Sequence, residues 1–137
     1  MVGLAGTKTD DDALKCVASS CGALQWAGLT QTQITGSSIS ALMRGCPRLL
    51  TLNGLGCDLK APNELTAPDF MAAQSLQRFN VAWCSLELDE MVSLASEFCP
   101  NLVEVQLSGN IVRHQPAFFQ ALSKLKLEVL ELRSSRG

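Results

Sequence analysis

The sequence predicts an α/β solenoid, a horseshoe segment of about five repeats with a parallel sheet on its concave side and helices on its convex side. Two observations predict it. A short pattern of apolar residues, closed by a small polar residue at its ninth position, recurs behind leading leucines Leu24, Leu49, Leu76, Leu102 and Leu127, at separations of 25, 27, 26 and 25 residues. Between the copies, the apolar residues change to the three-and-four spacing of an amphipathic helix.

Residues 1–9 read as an N-terminal extension and residues 10–137 as one repeat domain. The first helix runs from about Asp10 to Ser20, with Thr9 or Asp10 as its cap. Asp10, Asp11 and Asp12 fall in its first turn, where the positive end of the helix dipole favours carboxylates. No strand precedes this helix, so it reads as a cap over the first repeat. The first copy is Leu24, Ala27, Leu29, Thr32 and Ile34, after which Ser37 or Ser38 caps a helix carrying Ile39, Leu42 and Met43. The second is Leu49, Leu52, Gly54, Cys57 and Leu59. The stretch from Lys60 to Ala67 is irregular and leaves room for a shortened helix, opened by Pro68 and Asp69 and carrying Phe70 and Met71.

The third copy, Leu76, Phe79, Val81, Cys84 and Leu86, is the clearest, and a helix from Glu87 to Phe98 follows with Met91, Leu94, Ala95 and Phe98 on one face. The fourth, Leu102, Val105, Leu107, Asn110 and Val112, matches as well. Pro116 then opens a helix carrying Phe119 and Leu122. Leu127, Leu130, Leu132 and Ser135 begin the fifth. Each copy starts as a strand whose apolar residues point inward while the intervening ones face the concave side. At the ninth position Thr32, Cys57, Cys84, Asn110 and Ser135 can hydrogen-bond backbone that leaves the strand and would otherwise be buried without partners.

A chain of 137 residues with 47% hydrophobic and 18% charged residues can bury the core of one domain. A net charge of −2, with lysines and arginines that never form a run, argues against nucleic acid as a partner. The N-terminus lacks the apolar core of a signal peptide and the Arg-rich character of a transit peptide, and no apolar run is long enough to span a bilayer. The expectation is an intracellular, cytoplasmic protein with no membrane insertion. Five of the six cysteines fall on repeat positions, which favours buried packing or hydrogen-bonding groups; a disulfide between Cys57 and Cys84, on adjacent turns, is geometrically conceivable. No Cys-x-x-Cys pair supports zinc.

Cys46-Pro47-Arg48-Leu49 and Cys99-Pro100-Asn101-Leu102 place Cys-Pro just before a leading leucine, Cys21-Gly22-Ala23-Leu24 is a near copy, and Cys57 and Cys84 fill the ninth position. These residues resemble the cysteine-containing class of leucine-rich repeats, common in the substrate-binding domains of F-box ubiquitin-ligase receptors. The resemblance covers about residues 10 to 135, although Ala73 and Lys124 replace the pre-strand cysteine in two repeats. It implies the leucine-rich-repeat fold and a binding role. Such receptors carry a helical F-box ahead of the repeats, and the few residues before the first helix lead us to expect none in this sequence.

The expected function is a non-catalytic protein–protein interaction module, an adaptor or structural subunit of a larger intracellular assembly. The alternative is the substrate-recognition portion of an F-box-type receptor. The concave strand positions are the candidate surface, because repeat arrays build their binding face there: Trp26, Thr51, Asn53, Arg78, Asn80, Glu104, Gln106, Glu131 and Arg133. Trp83, at a strand exit, joins them, since Trp and Arg dominate interface hot spots; either indole could instead fold over a repeat edge to cover the core. Leu130 and Leu132, on an open last strand, are expected to be covered by a protein partner. No enzyme, cofactor or metal is expected. His114, the single histidine, reads as a solvated loop residue, and Gly3, Gly6, Gly54 and Gly56 form no phosphate-binding pattern.

Overall fold

Among the described residues, six short strands alternate with five helices: β1 (Val2–Gly3), α1 (Asp11–Ser20), β2 (Trp26–Gly28), α2 (Gly36–Gly45), β3 (Thr51–Asn53), α3 (Ala67–Ala72), β4 (Arg78–Asn80), α4 (Leu88–Phe98), β5 (Glu104–Gln106), α5 (Gln115–Ser123) and β6 (Val129–Glu131). The computed structural model describes residues 10–29, 34–57, 65–84 and 86–132 and the backbone of Val2 and Gly3. The strands form one sheet in chain order, every neighbouring pair parallel. Each helix packs on the next in the same order. The protein is thus an α/β fold in which one strand and one helix advance together with each copy of the sequence pattern.

The register follows the pattern residue for residue. Ala27, Leu52, Phe79, Val105 and Leu130 stand side by side across β2 to β6. A slip of one residue would turn that apolar row to the opposite face, so burial of the row fixes the pairing. Ala27, Leu52, Phe79 and Val105 are buried, with Phe70 meeting Phe79 edge to face at 6.3 Å.

β3 and β4 stop after three residues for a local reason. Asn53 and Asn80 end β3 and β4, and the carboxamide oxygen of each accepts the backbone N–H two residues on, from Leu55 at 3.1 Å and Ala82 at 3.0 Å. This turn competes with continued extension. The chain then needs a left-handed residue, and Gly56, Trp83 and Gly109 occupy that place at φ 75°, 58° and 75°.

The ninth-position ladder forms as the pattern implies. Cys57 Sγ donates to Leu29 O at 3.0 Å, Cys84 Sγ to Gly54 O at 2.9 Å and Asn110 Nδ2 to Val81 O at 2.8 Å, so each reaches the preceding copy. The conceivable Cys57–Cys84 disulfide is not formed; each thiol instead donates to a backbone carbonyl of the preceding copy. Thr32 and Ser135 lie outside the described residues.

Carboxylates tie successive helices together. Asp10 caps α1 by accepting from Ala13 N at 3.1 Å. Asp11 instead reaches the next helix, accepting from Thr35 N at 2.8 Å, from the Thr35 hydroxyl at 2.7 Å and from Ser38 Oγ. Asp89, early in α4, does the same for α5, accepting from the backbone N–H groups of Arg113 and His114, both at 2.8 Å. Asp69, buried, closes the start of α3 on Thr66 N at 2.8 Å and reaches back to Ser40 Oγ and to Arg44 Nε at 2.7 Å on α2.

Four readings of the sequence change. Val2–Gly3, within the extension, pairs with β2 as a first strand, so α1 is preceded by one. The cap of α2 is Thr35, whose hydroxyl accepts from Ser37 N, because Ser38 is spent on Asp11. On α5 the buried ring is Phe118; Phe119 is exposed and meets Phe118 edge to face at 5.2 Å. Met71 on α3 is also exposed, leaving Phe70 as that helix's core anchor. Among the described residues, no helix is long and apolar enough to cross a membrane.

Candidate protein-binding surface

The pleat that buries Ala27, Leu52, Phe79 and Val105 sends the alternate residues to the opposite face of the sheet. Pairing aligns Trp26, Thr51, Arg78, Glu104 and Val129 in one row, and Gly28, Asn53, Asn80, Gln106 and Glu131 in the next. The expected surface residues therefore do share a face, with Glu131 exposed on β6 and Arg133 outside the described residues.

At the middle of this face four of them satisfy one another. Asn80 Nδ2 donates to Gln106 Oε1 at 2.9 Å, Gln106 Nε2 donates to Glu104 Oε2 at 3.1 Å, and Glu104 stands 3.9 Å from Arg78 Nε. Arg78 is half-exposed, and at 3.9 Å an exposed ion pair contributes little. The network sets side-chain orientation across β4 and β5, and a partner contacting these groups must replace bonds already made. Asn53 and Asn80 also hold the turns that end their strands, so their conformational role is separate from any contact they offer.

The two tryptophans differ. Trp26 is half-buried, and its indole lies over Gly28, where a Cβ would collide with the ring. The ring thus covers the backbone of its own strand. Trp83 is 57% exposed, the most exposed of the large apolar side chains described. One face of its indole rests on Gly109, where a Cβ would again collide, and its backbone N–H donates to Ser108 O at 2.7 Å. Its φ of 58° lies in the left-handed region that the copies on either side fill with glycine. A residue with a Cβ costs about 1–2 kcal/mol there, so a bulky aromatic at this place is not what the turn itself prefers.

The surrounding rim is uncharged. Leu55, Ala82 and Ser108 precede Gly56, Trp83 and Gly109 in the three successive turns. Ala82 and Ser108 are buried, whereas the indole between them is exposed on its outer face.

The strand expected to need a cover behaves differently at its two positions. Leu130 is 42% exposed, whereas Val105, its partner in β5, is 3% exposed; Val129 is exposed as well, and Leu132 is half-buried against the core. His114 is exposed and stands at the start of α5, tied by its backbone to Asp89. Among the described residues no group of histidines, cysteines and acids is placed to hold a metal ion. No protein-family model matches the chain, and no curated protein does.

Proposed function

We propose that this chain is a leucine-rich-repeat solenoid of the cysteine-containing class and acts as a non-catalytic protein-binding module, an adaptor or structural subunit of a larger assembly. One observation carries the reading. Trp83 is exposed and left-handed at a turn where Gly56 and Gly109 stand in the adjacent copies. Strain at a non-glycine residue persists where the surroundings enforce it, and such residues gather at functional sites. An indole is the side chain most enriched among interface hot spots. The rim around Trp83 is therefore the primary contact, and the Arg78, Asn80, Glu104 and Gln106 network orients the flank beside it.

Crosslinking mass spectrometry on the native complex tests this. Photo-crosslinkers placed at Leu55, on the rim, and at Glu90, on α4, report the two layers separately. The reading expects crosslinks to one partner from position 55 and none from position 90. Crosslinks confined to position 90 would place the contact on the helices and reject it.

A further inference from the structure

Two cysteines outside the proposed contact occupy the same structural place in successive copies. Cys21 follows the last residue of α1 and Cys46 the last residue of α2. The two helix ends are in close contact: a Cβ on Gly45 would meet the backbone carbonyl of Ala18, so only glycine lets the ends approach this near. Beside that contact, the Cys46 thiol donates to the Cys21 backbone carbonyl at 3.4 Å, which brings the two residues side by side. Cys21 is partly exposed and Cys46 fully buried. The corresponding contact later in the chain runs from Cys99 Sγ to Ala73 O at 3.5 Å, where the upstream residue carries no sulfur. Burial alone pushes the Cys99 thiol up to about 11, as expected of an inert core cysteine.

We infer that Cys21 and Cys46 form a reversible disulfide that fastens the C-terminal end of α1 to that of α2 under oxidising conditions. The step is thiol–disulfide exchange with a small-molecule disulfide. The Cys21 thiolate, the more accessible, attacks one sulfur of that disulfide and expels one thiolate. Cys46, on losing its proton, attacks the Cys21 sulfur of the mixed disulfide and expels the second. Two protein thiols are oxidised by two electrons, one small disulfide is reduced to two thiols, and both protons end on those thiols. Burial raises the Cys46 thiol above its ordinary value, so the second step quickens with rising pH.

Oxidised glutathione added to the full chain, followed by alkylation and tryptic mapping without reductant, tests the assignment. Cleavage after Lys15, Arg44 and Arg48 separates peptide 16–44, which holds Cys16 and Cys21, from peptide 45–48, which holds Cys46. The two peptides should appear linked in the native chain and in Cys16→Ser, and unlinked in Cys21→Ser. Loss of the link in Cys16→Ser, or glutathione adducts on Cys21 without a link, would overturn it.

Discussion

Asn110 carries more of the ninth-position ladder than the cysteines that precede it. Its carboxamide donates to Val81 O at 2.8 Å and Leu107 O at 2.9 Å, and accepts from Leu86 N at 3.0 Å and Cys84 N at 3.2 Å. A thiol can supply only the donor half of this. Asn110→Ala leaves buried backbone groups unpaired and should cost about 3 kcal/mol or more in denaturant unfolding, while Cys84→Ala should cost only about 1 kcal/mol. Trp83 allows a sharper comparison. Trp83→Ala removes the ring yet keeps a Cβ at φ 58°, whereas Trp83→Gly removes both. The glycine variant should be the more stable of the two by about 1 kcal/mol; the reverse order would mean that the turn holds no strain. Gly109→Ala should displace the indole from its platform and destabilise the turn, seen as a red shift of Trp83 emission in a Trp26→Phe background. The residue-scale signal for all this was present in the sequence, since Gly56, Trp83 and Gly109 hold the same place in consecutive copies. Periodicity does not expose it, because the pattern reports which residues are buried and says nothing about φ.

At the scale of elements, three carboxylates make the helix layer sensitive to acid. Burial pushes Asp11, Asp69 and Asp89 upward, but their hydrogen bonds outweigh it: from Ser38 and Thr35 to Asp11, from Ser40, Thr66 and Arg44 to Asp69, and from Arg113 and His114 to Asp89. Each therefore sits below the ordinary value of 3.8 in the folded protein. A group depressed by folding stabilises above its unfolded pKa, and that stabilisation fades as pH falls through the folded value. Stability should be level near neutrality and drop below about pH 4, with Asp11→Asn and Asp89→Asn flattening the fall. An unchanged acid limb in the Asp11→Asn, Asp89→Asn double variant would show that these bonds do not couple the helices. Helix positions were legible from spacing, whereas caps and faces were less so. Thr35 was missed because two serines follow it closely, and Phe118 because the adjacent Phe118-Phe119 pair offers two nearly equivalent phases on a short helix.

For the whole molecule, the regular leucines conveyed the parallel order and the register, because each copy buries its apolar row only when stacked on its neighbours. What they could not convey was the first strand, since Val2–Gly3 is too short to show alternation. The candidate surface was legible in the same partial way: strand parity placed Trp26, Arg78, Asn80, Glu104 and Gln106 on one face, but only the geometry separates a self-covering Trp26 from a projecting Trp83. In such an array, stability is a sum of local and nearest-neighbour terms. Hydrogen exchange should accordingly be slowest in β2 to β5, which have strands on both sides, and faster in β6; equal protection throughout would indicate a single all-or-none unit. The account rests most heavily on Trp83 as a residue kept for contact at some expense to its turn. The direct test is the affinity of a purified partner, once crosslinked, for the native chain and for Trp83→Gly, with thermal unfolding followed in parallel. The expected result is at least a tenfold weaker complex with the melting temperature held; an unchanged affinity in a folded Trp83→Gly chain would contradict the account.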